Sequence, residues 1–478
     1  MKRALILIAV LCVYFCQAQD TAKSVFTKYY TVNQLKSDFV FFRATLETIH
    51  PSLYRYHSKD SVDTYFDKAL VQLDHPMNEL EYWRILVQII AKLGSGHTSL
   101  YLSDAFRKHY FTTNHKLLPA LFYIQSNRLF IRSNVRLQDS LLKQGSEVLA
   151  INNVSGPDIL KRMRDFVSGD GYSNAFKDSK ISLDFVNLYN LINGDQSQYF
   201  FVLNEKGKIK RTLVQANNAI RSTPYSNASN PPNIRYPLDM PGTAVITIPN
   251  FEYKKDYEHL HATFFKEIRE RHITNLIIDL RNNPGGEVEI FDDLMGYVMN
   301  NGYQVALSDE GFVNPGRFEY LSKKSETNEV SIADIEGLGH SLRRDTYDIG
   351  AVKWTRMHEF KGKLYLLING GSFSAAALFT TAVKSQRDCI TVGEETGNSG
   401  YGSDAGPKPM TLPETHVKLY LPIVWYYAAR TPGKNQGEGL TPDIEVPEPL
   451  YSIRYKGNDP VMEAVKASIS SVGTKPDR

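Results

Sequence analysis

Apolar side chains recur at helical spacing through the first hundred residues. Leu35, Phe39, Phe42, Leu46 and Ile49 fall on one face, and Pro51 ends the run. Trp83, Leu86, Val87, Ile90 and Leu93 repeat the pattern up to Gly94, a natural helix stop. Residues 33–105 are therefore predicted to be largely helical. From 115 to 215 the period shortens: 121–124, 129–131 and 145–151 read as strands, and Pro157 opens a helix over 158–166. Residues 217–237 hold four prolines among Asn and Ser, the composition of a linker or exposed loop. Beyond 243, strands at 245–248, 276–280 and 364–368 alternate with helices at 257–271, 291–298 and 375–385. That alternation predicts an α/β core whose largely parallel sheet is covered by helices.

The very start has a different character. Lys2 and Arg3 precede an apolar stretch from Ala4 to Phe15, too short to span a bilayer comfortably, and polar residues follow at once. Residues 1–19 are expected to be a secretory signal, cleaved after Ala18 or Gln19. Lipidation at Cys16 is the alternative, against which stand the bulky Tyr14 and Phe15. The expected location is exported, periplasmic or extracellular. Cleavage leaves Cys389 as the single cysteine, so no internal disulfide is expected. Net charge is +3, from 55 basic and 52 acidic side chains, which gives no electrostatic footprint for nucleic acid. No later segment reads as a membrane span. The expected divisions are a helical region over 20–110, a small β-rich module over 111–216, a linker over 217–237, a core over 238–450 and a tail over 451–478.

Three places carry candidate chemistry. In Leu276-Ile277-Ile278-Asp279-Leu280-Arg281-Asn282-Asn283-Pro284-Gly285-Gly286 a buried strand runs into a glycine pair. Amides at such a turn can face a developing oxyanion, although a plain strand-to-helix turn has the same signature. In Leu364 to Ala377 a second strand empties through Asn369-Gly370-Gly371-Ser372-Phe373-Ser374 into a small-residue helix. A serine there lies at the strand ends, where open α/β sheets bind ligands; Ser372 or Ser374 capping the helix is the bland alternative. Gly94-Ser95-Gly96-His97-Thr98-Ser99 presents a histidine in a glycine-rich loop. Twelve histidines form no convincing metal set, and His-Glu-x-x-His is missing.

Taken together, and in this order, these segments resemble one family: the tail-specific (C-terminal processing) peptidases, the tricorn core protease and the interphotoreceptor retinoid-binding protein. The resemblance rests on Asp279 to Gly286, Ser372 to Ala375, Val392-Gly393-Glu394-Glu395-Thr396-Gly397, Gly439-Leu440-Thr441-Pro442-Asp443-Ile444 and, more loosely, Gly96-His97-Thr98. It implies a crotonase/ClpP-like ββα core and a secreted serine endopeptidase acting on peptide or protein substrates. Ser374 would be the nucleophile, with oxyanion donors from Ala375, Gly285 and Gly286, and neither metal nor organic cofactor required. The tail-specific branch uses a downstream lysine as base, and its spacing here falls on Ser399; the tricorn-like branch uses an upstream histidine, which His97 fits. The family's supporting glutamate corresponds in spacing to Gln436, with Glu438 two residues on. Gly145 to Val154 resembles a strand-turn-strand segment of PDZ domains, and an unrelated β-rich insert is the other reading. Two rival functions remain: a catalytically weak or inactive member that binds a peptide or lipophilic ligand, and an esterase using the same Ser374.

Overall fold

The computed structural model describes residues 27–472 except 135–140, 221–230, 254–255, 305, 313–314, 328–329, 342–343, 349–352, 354, 429–436 and 448–458. The expected leader and Gln436 therefore lie outside the described residues. The described fold is mixed α/β, with the helical region, the β-rich module and the α/β core following one another along the chain.

The helical region begins with α1 (Val32–Ile49), whose first turn is closed by a capping box between Thr31 and Gln34. Phe39 and Phe42 of α1 meet Phe66 of α2 (Lys59–Val71) edge-on, each pair of ring centroids 6.2 Å apart. In α3 (Glu79–Ile90), Asn78 and Glu81 form a second capping box, and Trp83 donates its indole N–H to the Leu100 carbonyl. Leu100 belongs to β1 (Ser99–Tyr101), which pairs antiparallel with the strand Lys418–Leu421. The glycine loop between α3 and β1 is thus delivered directly against the catalytic half of the chain.

The β-rich module is built on β2 (Ala120–Gln125), β3 (Arg128–Asn134), β4 (Glu147–Ile151), β5 (Gln198–Glu205) and β6 (Lys208–Gln215). Their spatial order is β6-β5-β4-β3-β2. Between β4 and β5 come α4 (Gly156–Arg164), with Pro157 in its first turn, and α5 (Ala175–Asn193). The chain leaves helical geometry at Asp184 within α5, and past that point Phe185 packs on Phe122 of β2 with centroids 4.5 Å apart.

The core sheet runs β7 (Asn233–Arg235), β8 (Thr243–Thr247), β9 (Asn275–Asp279), β10 (Lys363–Ile368), β11 (Ile390–Gly393) and β12 (Ile444–Glu445) in spatial order. Only β7 is antiparallel to its neighbour. Both faces are covered, and the period of two divides them. Ile246, Leu276, Ile278 and Leu366 pack with residues of α6 (Tyr257–Glu270), α7 (Val288–Val298) and α8 (Ala375–Gln386). Val245, Ile277, Tyr365 and Leu367 pack instead with Val461 and Val465 of α9 (Pro460–Val472). The segment expected as a tail therefore supplies the second helical layer. The expected linker likewise carries structure at both ends: Asn217–Ile220 pairs with Asn114–Leu117, and β7 edges the core sheet. A further sheet, in the order Arg344–Asp348, Ala306–Phe312, Val424–Ala428 and Gly402–Ala405, carries Asp404 towards the helical region.

At the exit of β9, Arg281 is almost wholly buried between two carboxylates, Asp279 at 2.7 Å and Asp459 at 2.8 Å. Asp459 also accepts the amide of Val461, so this guanidinium fixes the start of α9 to the end of a central strand. Removing one partner of a buried ionic cluster leaves the other charges uncompensated. Arg281→Ala is expected to destabilise the core by about 3–5 kcal/mol, read as a lower denaturation midpoint. An unchanged midpoint would mean that α9 is held by its apolar contacts alone.

Candidate active site

β10 leaves the sheet through Asn369-Gly370-Gly371-Ser372-Phe373 and turns into α8 at Ser374. Ser374 has φ 53° and ψ −125°, backbone angles that cost a non-glycine residue about 1–3 kcal/mol. Its side chain makes no capping hydrogen bond, so the capping alternative is excluded for this serine. Ser372 is spent structurally, donating to the Leu280 carbonyl (2.8 Å) and accepting the Asn369 amide (3.0 Å). The strained elbow is pinned by the Ser374 amide, which donates to Asn398 Oδ1 at 2.5 Å. It also needs room beneath it: a Cβ on Gly285 would lie 2.5 Å from Ser374 Cβ and 2.8 Å from the Ala375 nitrogen.

Among the described residues no acceptor takes the amides of Ala375 and Gly286. Ala375 opens α8, where the first amides have no partner within the helix. Gly285 differs from expectation. Its N–H is used internally, donating to Asn283 Oδ1 at 2.8 Å, so it supplies close approach rather than a free donor.

His97 reaches this elbow from the far end of the chain, its Nε2 lying 3.0 Å from Ser374 Oγ. The loop behind it is fixed by a relay of hydrogen bonds from His50 through Thr98 and Ser95 to the buried carboxylate of Asp404, at 2.6, 2.7 and 2.5 Å. The ring lies on Phe373, with centroids 4.6 Å apart, and Phe373 stacks in turn on Phe176 of α5 at 3.7 Å. On Phe176 rests the Lys180 ammonium, 4.2 Å from the ring centroid. Gly96 is required by the same stack, because a Cβ there would come within 2.7 Å of the Phe373 ring.

Of the two side chains expected to support His97, Gln436 lies outside the described residues and Glu438 makes no hydrogen bond to the ring. His97 Nδ1 is buried with no hydrogen-bond partner among the described residues. Glu438 is exposed, and its carbonyl accepts the Gly400 amide at 2.7 Å. At the lysine position of the other branch, Ser399 is buried and accepts the amides of Tyr401 and Gly437, each at 3.2 Å. Burial, with the Lys180 charge behind the stack, pushes the His97 imidazolium down to about 3. The ring is thereby neutral at ordinary pH, and a neutral imidazole that accepts at Nε2 carries its proton on Nδ1.

A hydroxyl on a strained strand-to-helix elbow, hydrogen-bonded to a neutral imidazole and flanked by free amides, has the components of acyl transfer. The fold and site thus define a serine-type hydrolase. Residues 242–446, which hold Ser374 and all of the core sheet but its edge strand β7, match peptidase family S41, and the chain is a serine-type peptidase. No curated protein matches the sequence. Among solved structures, mature CPAF is similar with a TM-score of 0.63 at 15% identity, over 89% of this chain and 95% of that one. Mature CPAF complexed with lactacystin has a TM-score of 0.63 at 14% identity, over 91% and 98%. These likenesses show a common fold that extends beyond the S41 segment into the helical region and the β-rich module.

If burial and Lys180 hold the ring neutral, the His97 resonances should not titrate between about pH 5 and 8. An NMR titration assigned with a His97→Gln control checks this. A midpoint near the ordinary imidazole value would contradict the electrostatic account.

Proposed function

We propose that this peptidase hydrolyses peptide bonds through an acyl-enzyme on Ser374, with His97 as general base. The observation that carries the reading is the 3.0 Å contact between His97 Nε2 and Ser374 Oγ at the strained elbow. His97 takes the hydroxyl proton as Ser374 Oγ bonds to the substrate carbonyl carbon. The oxyanion is received by the amides of Ala375 and Gly286, each such donor being worth about 3 kcal/mol of barrier. The proton passes from His97 to the leaving amine, the C–N bond breaks, and water releases the acyl group by the reverse sequence. The stack on Phe373 orients the imidazole in this reading, and Glu438 is given no part.

The largely parallel, helix-covered sheet supports a crotonase/ClpP-type core. In the β-rich module, β2 at the sheet edge beside α5 supports a PDZ-like reading, with peptide substrates added as a further strand. The N-terminal pattern supports export, and among the described residues no helix is long and apolar enough to cross a membrane. Sequencing of exported protein should then begin near Gln19 or Asp20, and material retaining Met1 would contradict export.

A fluorophosphonate should label Ser374, as mapped by peptide mass spectrometry. Ser374→Ala should lower peptidase turnover by roughly 10⁴-fold or more while leaving the melting temperature nearly unchanged. Labelling at Ser372, or turnover undiminished in the variant, would remove Ser374 from the mechanism. Labelling of Ser374 with hydrolysis of esters alone would favour the esterase reading.

A further inference from the structure

One buried carboxylate joins the two loops that carry the Ser374–His97 pair. Asp170 lies between α4 and α5 in the β-rich module and is fully buried. It accepts the Gly96 amide on Oδ1 at 3.4 Å and the Ser399 amide on Oδ2 at 3.0 Å. Gly96 immediately precedes His97. Ser399 immediately follows Asn398, whose Oδ1 takes the Ser374 amide. Each oxygen of Asp170 is therefore one residue removed from a group that holds the pair. The neighbouring backbone runs the same way: the Gly171 amide donates to the Gly94 carbonyl at 2.9 Å, and the Tyr172 amide to the Gly437 carbonyl at 2.7 Å. We infer that Asp170 is a positioning residue for the peptidase reaction, its carboxylate setting the distance between the His97 loop and the Ser374 elbow. The inference rests on the reading of Ser374 and His97 as the reacting pair.

The positioning role requires the ionised form. Both oxygens face N–H donors, and a protonated carboxyl would turn an O–H against one of them. Burial, followed by the nearby Asp404 carboxylate, pushes Asp170 up to about 8, with the two amides and Arg55 acting the other way. The other ionisable groups around it are Arg55 and Tyr56 from the turn after α1, His97, and Asp404. Lys177 packs its stem beside Gly169, and Lys180 donates to Ser168. Burial takes Asp404 to about 6, and burial with Lys180 takes His97 to about 3, so both have titrated before Asp170 does. Burial also brings Lys177 and Lys180 down to about 8, which makes a variant at 170 necessary to separate them from Asp170.

The signs for activity and stability are opposite. As pH rises through about 8, Asp170 ionises, both amide bonds are completed and turnover rises. Its folded pKa lies above the unfolded value, so its contribution to folding is fully present at low pH and is lost as pH rises through the same value. A purely structural carboxylate would move activity and stability together.

The experiment measures kcat and KM for the mature wild type and Asp170→Asn from about pH 6 to about pH 9, with fluorophosphonate labelling of Ser374 in both. The shape of asparagine is close to that of aspartate, but its amide group must face one of the two N–H donors. The wild type should show kcat rising to a plateau above about pH 8, and Asp170→Asn a kcat lower by about tenfold or more, KM little changed and the rise gone. A variant that retains wild-type kcat, or retains the rise, overturns the assignment. Absence of Ser374 labelling in the wild type overturns the reacting pair itself and this assignment with it. If Asp170→Asn does not fold, the Asp170 side-chain carboxyl ¹³C resonance of labelled wild type, which reports its own ionisation apart from Lys177 and Lys180, decides together with the Gly96 and Ser399 amide resonances. A shared transition near about pH 8 is expected, and amides unmoved over the range overturn the proposal.

Discussion

The contact between His97 Nε2 and Ser374 Oγ joins side chains 277 residues apart, and much of the architecture serves to hold it. One partner stands at a backbone conformation that an isolated chain would avoid. The other lies in a loop whose glycines give it no stiffness of its own. Rigidity has to come from outside both segments, and it comes from three directions. The core sheet fixes the elbow between β10 and α8. The pairing of β1 with Lys418–Leu421 and the Asp404 relay fix the histidine loop. The β-rich module closes the gap with Phe176 and Asp170.

Electrostatically the site is built on buried groups held by backbone amides and aromatic faces. Asp170 and Asp404 are both fully buried, yet each accepts two or more hydrogen bonds, Asp170 from main-chain amides and Asp404 from serine hydroxyls. Such satisfaction is what makes a carboxylate tolerable in an apolar setting. On the opposite side, Lys180 rests on the far face of the stack that His97 joins, and opposes protonation of the ring. The imidazole is therefore kept neutral and held face-on, without a carboxylate at Nδ1 among the described residues. Stacking fixes the plane of the ring but does little to stabilise the imidazolium formed during attack.

Much of this was legible in the sequence where local physics decides. The apolar strands running into Gly285-Gly286 and into Gly370-Gly371 announced β9, β10 and the elbow, because strand period and glycine placement are local signals. His97 was reached through its glycine loop and a family pattern. Long-range partners left no such trace. Phe176, Asp170 and Asn398 look like ordinary helix and loop residues until the fold brings them to the elbow. The helix α5 went unread although Ile181, Phe185, Leu188 and Ile192 carry its spacing, and the break at Asp184 blurs the period. Its role in the site follows from packing against Gly370 and Gly397, whose missing side chains admit Ala175 and Phe176. Spacing fell on Gln436, outside the described residues, with Glu438 two residues on as the charged candidate, but spacing says nothing about which way a glycine-flanked loop turns its side chains.

Chemical rescue tests the central pair most directly. In His97→Ala the rate of fluorophosphonate attack on Ser374 should fall by roughly 10³-fold or more. Free imidazole should restore part of that rate in a concentration-dependent manner, because the space vacated against Phe373 is shaped for the ring. A His97→Ala rate equal to wild type, or a loss that imidazole leaves untouched, would contradict the assignment of His97 as the base acting on Ser374.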